Sequence, residues 1–129
     1  MTYLEHIEKL ARDLNITIKW ITDKYKSMSN VPTRIIRIVK PLNSFDYLVA
    51  LHEIGHIQTT TWDDGESSIE QELKAYQWAK AHAIEWDKGT CAAVKYGMGT
   101  YLNNPFTVME DIHTAKTAYQ WVNTECRIP

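Results

Sequence analysis

The sequence predicts an α+β fold in one domain covering residues 1–129, mostly helical, with a small antiparallel sheet packed beside a central helix. Three observations predict it. Apolar residues recur at helical spacing in several separate stretches, whereas only two short segments have the alternation and β-branched content of strands. A chain of 129 residues that is 44% hydrophobic has apolar material for one core and no room for a second.

The first helix is expected over residues 2–14, where Leu4, Ile7, Leu10, Ala11 and Leu14 share one face. Residues 15–20 then alternate like a strand, and a polar loop rich in Lys, Ser and Asn leads to Pro32. Thr33 to Val39 is β-branched enough to be the second strand, with a bulge where Ile35 and Ile36 break alternation. The two strands are expected to pair as an antiparallel hairpin. Ser44 to Thr60 reads as a helix capped by Asn43 or Ser44, with Phe45, Leu48, Val49, His52, Gly55 and His56 on its inward stripe. Ser67-Ser68-Ile69-Glu70 reads as a capping box that starts the next helix, whose inner face holds Ala75, Tyr76, Ala79, Ala83 and Trp86. A short helix is expected from Thr90 to Tyr96, stopped by Gly97. Asn104-Pro105 then opens a last helix to about Val122, with Met109, Ile112, His113, Ala115, Tyr119 and Trp121 as mostly core material.

One stretch carries chemistry. His52-Glu53-Ile54-Gly55-His56 is an H-E-x-x-H arrangement, in which two imidazoles hold a metal and the glutamate works on the metal's water. Residues four apart lie one turn above each other, with about 5–6 Å between their Cβ atoms, so both rings converge on one ion. Glu53 is rotated away from the two ligands yet within reach of the bound water. Gly55 costs about 1 kcal/mol in a helix interior relative to Ala, so close approach of another backbone or of substrate accounts for it better than propensity does.

A catalytic zinc site keeps three protein ligands, which requires one more donor. A further histidine shortly downstream is absent, Thr59 and Trp62 holding those places; the candidates are Glu66, Glu70, Glu72 and Glu85. Glu70 has a capping task. Glu72 lies on the Ala and aromatic face, where a buried carboxylate needs a partner, and a metal is one. His82, on the flank of that face, is read either as a donor near the site or as an exposed helix histidine.

His52-Glu53-Ile54-Gly55-His56, followed by Glu72-Leu73-Lys74-Ala75-Tyr76-Gln77-Trp78-Ala79, resembles the small gluzincin-like metallopeptidases of the ImmA/IrrE type, whose second motif is E-x-x-A-x-x-aromatic-A. The likeness runs from about Pro41 to Trp86. It implies a zincin-like fold, one Zn2+ per chain held by His52, His56 and Glu72, and Glu53 as catalytic base. It further implies a phage or mobile-element protein in the host cytoplasm whose substrate is a peptide or protein such as a repressor. Tyr76, His82, Tyr96, His113 and Tyr119 are all available to stabilise the transition state. Two imidazoles and a carboxylate also suit manganese or iron.

In zincin-like folds a strand beside the active helix offers its edge to extended substrate, and Thr33–Val39 is the expected strand. The connector Thr59–Glu66 is read as an exposed loop with a lid as the sharper alternative. Residues 17–40 hold six basic side chains against Asp23 alone, and residues 41–72 hold seven acids and no base, a field suited to a dication. Mutual compensation within the fold is the expected use of the basic half. With a net charge of −2 and no nucleic-acid module, DNA and RNA are not expected partners. Neither a signal peptide nor a membrane-spanning stretch is read, so the cytoplasm is the expected compartment, with Cys91 and Cys126 as reduced thiols. The alternative from another class is a non-catalytic interaction module with a structural metal. Retention of Glu53 argues against it.

Overall fold

The computed structural model describes residues 1–60 and 66–127. Helix α1 (Tyr3–Asp13) begins at a complete capping box, Thr2 accepting from the Glu5 amide while the Glu5 carboxylate accepts from the Thr2 amide. It ends at Asn15, whose φ of 59° turns the chain left-handed while the Ile16 and Asn15 amides return to Ala11 and Arg12. Strand β1 (Thr17–Trp20), a single 3-10 turn (Lys24–Lys26), β2 (Met28–Asn30) and β3 (Ile35–Ile38) follow. Helices α2 (Ser44–Thr59), α3 (Ser68–His82), α4 (Lys88–Leu102), α5 (Pro105–Glu110) and α6 (Ile112–Glu125) complete the order. The architecture is α+β, mostly helical with one small sheet.

That sheet is mixed rather than the expected antiparallel hairpin. Its order is β1-β3-β2, with β1 parallel to β3 (Thr17 opposite Ile35) and β2 antiparallel to it (Ser29 opposite Ile36). The cause lies in the segment read as a loop. Residues 31–34 fold back tightly, so Met28–Asn30 takes one edge of β3 and leaves only the other for β1. Arg34 makes this turn with φ at 54° and is held by its guanidinium, which donates to the Leu14 carbonyl (2.6 Å) and to Gln58 Oε1 (2.7 Å). Such a conformation is unfavourable for a side-chain-bearing residue and persists because these bonds fix it.

Helix α2 is the hub. Leu48, Leu51 and Ile54 are fully buried, as are Ile36 and Ile38 of the sheet and Ile7 of α1. A helix enclosed on nearly all sides reads as apolar without a strong stripe, which fits a central position. Tyr47 anchors α1 to it, stacking on Tyr3 with centroids 4.7 Å apart, and its hydroxyl stands 2.6 Å from His6 Nδ1 while accepting from the Ile84 amide at 3.0 Å. Lys24 meets Asp46 at 3.3 Å, one case of the basic segment compensated within the fold.

Three helix expectations are corrected. Helix α4 runs straight through Gly97 instead of stopping there, because that glycine makes room for a neighbour: a Cβ on it would lie 1.7 Å from the Tyr76 hydroxyl. The last helix breaks at Asp111, whose carboxylate caps α6 by accepting from the Thr114 amide (3.1 Å) and also accepts from the Ser67 hydroxyl (2.8 Å). Its core is Ala115, Ala118 and Val122, while Met109, Ile112 and Tyr119 are exposed. Ser67 caps α3 as expected, but the Glu70 carboxylate faces Lys74 at 3.9 Å rather than reaching back. Cys91 and Cys126, read as free thiols, are joined in a disulfide with Cα atoms 5.4 Å apart. The packing of α4 beside the end of α6 brings together residues 35 apart in sequence, which no spacing rule shows.

Candidate metal centre

Helix α2 presents Phe45, Val49, His52, Glu53 and His56 to a cleft of about 780 Å³. One wall is the 3-10 turn, β2 and the turn after it, contributing Tyr25, Ser29 and Val31, and the other is α4, contributing Ala93, Tyr96 and Tyr101. Helix α3 closes the cleft behind the histidines with Glu72 and Tyr76. Three backbones meet here because small residues let them. Gly55 lies so near α3 that a Cβ on it would stand 2.6 Å from the Ala75 carbonyl oxygen.

His52 Nε2, His56 Nε2 and Glu72 Oε2 form a tight triangle with sides of 3.0, 2.9 and 2.8 Å. Among the described residues these three form the cluster whose donor atoms suit a metal ion. Donors about 2.0–2.1 Å from a tetrahedral zinc stand roughly 3.3–3.4 Å apart, so the triangle needs only slight opening to fit one. Two borderline-soft imidazoles and one carboxylate, with His52 and Glu72 buried and His56 partly so, suit that ion. Around them, Tyr76 stacks on the His52 ring at 3.9 Å, and Thr60 Oγ1 stands 3.5 Å from His56 Nδ1. His52 Nδ1 is buried with no hydrogen-bond partner among the described residues.

Burial alone would favour neutral groups, but hydrogen bonds from His52 and His56 prevail at Glu72 and hold its carboxyl far below the usual range. Burial likewise works against the His56 cation, yet the Glu72 bond and the charges of Glu72 and Glu53 raise its pKa. Glu53 is raised chiefly by burial, opposed by the two histidines and by a hydrogen bond from Ser29. A buried carboxylate whose pKa is raised by desolvation in a cleft is one kind of group that proton-transfer sites employ.

The structure therefore brings together His52, Glu53, His56 and Glu72, the four residues named from the sequence. Of the other glutamates, Glu66 lines the cleft but is ion-paired with Lys74, and Glu85 is exposed. Of the groups named for transition-state charge, Tyr76 and Tyr96 line the cleft. His82 does not: it is exposed, stacks on Trp78 at 3.9 Å and bonds that residue's carbonyl. His113 and Tyr119 are exposed on α6, outside the cleft lining. Two residues were missed. Ser29 bonds Glu53, and Tyr101 bonds Glu72, burial and that carboxylate pushing its phenol well above its ordinary pKa. Tyr101 shares a face with Ala93 and Gly97 at helical spacing, a signal hidden by ending the helix at Gly97.

The strand at the cleft is also not the expected one. β3 is central in the sheet, and β2 is the edge strand whose Ser29 reaches Glu53. The connector Thr59–Glu66, read as an exposed loop with a lid as the alternative, falls largely outside the described residues. No protein-family model, curated protein or solved structure matches this chain.

Proposed function

We propose that this chain is a zinc metallopeptidase of the ImmA/IrrE type that hydrolyses a peptide bond in a peptide or protein substrate. The observation that carries the reading is the convergence of His52 Nε2, His56 Nε2 and Glu72 Oε2 within 3.0 Å of one another, with Glu53 opening on the same cleft. One Zn2+ bound there would polarise the scissile carbonyl and lower the pKa of a water to about 7. His52 and His56 would hold the ion as neutral imidazoles, with Glu72 as the third ligand. Glu53 accepts the water's proton and passes it to the leaving amine, held on the Ser29 side of the cleft by their hydrogen bond. Tyr101 donates to Glu72 and so orients that ligand.

A structural fastener would close its zinc with four protein ligands, whereas three are grouped among the described residues. The outer edge of β2, unpaired among the described residues, suits an extended substrate, since strand addition supplies main-chain bonds with little demand on sequence. A phage or mobile-element regulatory role, with a repressor as substrate, follows from the motif resemblance. No described helix is long and apolar enough to cross a membrane. The motif resemblance favours the cytoplasm, the host's if the protein is phage-encoded, whereas the Cys91–Cys126 disulfide is of a kind rare in that compartment.

Elemental mass spectrometry of wild type and His56→Ala tests the centre: about one zinc per chain, lost in the variant, is expected. Glu53→Gln should retain the metal and lose peptide cleavage. Metal-free wild type after incubation with zinc would leave a packing motif, and undiminished cleavage by Glu53→Gln would remove the proposed base.

A further inference from the structure

We infer that the cleft selects a bulky apolar side chain, aromatic by preference, about three residues along the substrate from the scissile bond. The inference rests on the metallopeptidase reading and names its substrate class. The end of the cleft remote from Glu72 is built from three rings contributed by three elements. Tyr25 of the 3-10 turn meets Tyr96 of α4 with centroids 5.5 Å apart at 54°, and Tyr96 meets Phe45 of α2 at 6.3 Å and 57°. These are tilted arrangements within the range aromatic pairs prefer. The two tyrosines come from opposite walls, and Phe45 forms the floor between them.

Tyr25 and Tyr96 remain 65% and 55% exposed, although each belongs to this cluster. Neighbouring exposed rings at the mouth of a cleft are apolar surface that a ligand covers. Among the described residues lining that end, the charged one is Lys24, and it is already engaged: its ammonium lies 4.7 Å from the Phe45 ring centroid and 3.3 Å from Asp46. An acidic side chain would have to compete with Asp46 for it, and a basic one would meet like charge. An apolar side chain loses nothing on entry and gains three rings.

Position follows from the helix. Phe45, Val49 and His52 lie on the cleft side of α2, and Phe45 precedes His52 by seven residues, or about 10 Å at 1.5 Å per residue. An extended peptide advances about 3.3 Å per residue, so the ring cluster faces the third residue from the metal. β2 follows the 3-10 turn directly, giving such a peptide one continuous wall.

Two series of peptide hydroxamates test this on the zinc-loaded full chain by titration calorimetry. In one series the hydroxamate ends the peptide at its C-terminus, and in the other a succinyl hydroxamate begins it. Each carries Phe, Ala or Asp at the third residue from the hydroxamate, with Gly elsewhere. In one series the Phe peptide should bind about 10- to 100-fold tighter than the Ala peptide, the range expected from burying one such side chain. Asp should bind no better than Ala. Tyr96→Ala and, separately, Tyr25→Ala should keep their zinc and reduce the Phe advantage to below about threefold. Equal binding of Phe and Ala in both series, preference for Asp, no binding by any peptide, or an unchanged preference in both variants would each overturn the inference. Zinc content, measured first on the same sample, separates this from failure of the metal centre: protein that binds no zinc overturns the metallopeptidase reading, and this one with it.

Discussion

Gly55→Ala should weaken the metal centre without touching a ligand. The added Cβ would stand 2.6 Å from the Ala75 carbonyl oxygen and 3.2 Å from its Cα, all of it backbone of α3. Ordinary contact begins near about 3.4 Å, so the two helices must part by roughly 0.8 Å. Ala75 lies one turn beyond Glu72, and His56 directly follows Gly55, so that displacement acts on the ligand triangle. Metal ligands tolerate about 0.2 Å. A loss of zinc affinity of at least about tenfold is expected, comparable to removing a group that orients a ligand. Stability changes less, because replacing glycine gains about 1 kcal/mol in a helix while overpacking costs about 1–3 kcal/mol. The net is about 0–2 kcal/mol of destabilisation, or a fall in Tm of up to roughly 8 °C. Gly99→Ala supplies the contrast, since its Cβ would meet only Asn103 Nδ2 at 3.7 Å; it should raise Tm and leave zinc binding alone. Chelator competition and thermal denaturation of both variants measure this. A Gly55→Ala protein that melts higher and binds zinc like wild type would refute the close-approach argument.

Three further outcomes are expected. Ser67→Ala should cost about 0.5–2 kcal/mol by removing the α3 cap and its bond to Asp111, whereas Glu70→Ala, which removes an exposed pair with Lys74, should cost under about 0.5 kcal/mol in urea unfolding. His6 has its pKa lowered by burial and by Lys9 and His82, and its ring Nδ1 is hydrogen-bonded to the Tyr47 hydroxyl. Since the folded pKa lies below the unfolded one, its contribution is complete above about pH 6.5 and is lost as pH falls through the folded value. Tm should therefore drop between pH 7.5 and 5.5, and His6→Gln should show a shallower drop; equal slopes would dismiss His6 as the cause. Reducing Cys91–Cys126 releases a constraint on a loop spanning 35 residues and should cost about 4 kcal/mol in the chain-entropy picture, while thiol titration with and without reductant reports the pairing.

The segments legible from sequence are those in which local chemistry and tertiary position agree. Helix α1 has its capping box and periodic face, α2 its Asn43 cap, α3 its Ser67 cap, and β3 its β-branched run. Where tertiary contact overrides local preference, the reading fails in an intelligible way. Met28-Ser29-Asn30 has no strand character of its own; it becomes β2 because a tight turn lays it along β3. Gly97 signals a stop, yet the helix continues because Tyr76 occupies the space a side chain would take. Helical periodicity runs unbroken across Asp111, and the break shows only in the fold, where that residue leaves helical backbone geometry and makes two side-chain bonds.

The same division explains the site. His52 and His56 are fixed by a spacing internal to one helix, and Glu72 follows because a carboxylate on an apolar face demands a partner. Both arguments stay within elements that sequence can assign. Ser29 and Tyr101 lie on the two stretches it cannot, β2 and the half of α4 beyond Gly97, and each bonds one of the site's two central carboxylates. The groups proposed to hold a metal are thus written in local pattern, whereas those that hydrogen-bond Glu53 and Glu72 come into place only when the walls of the cleft close around α2. A variant of Ser29 or Tyr101 should accordingly disturb the protonation of Glu53 or the seating of Glu72 while leaving the helices that carry them intact.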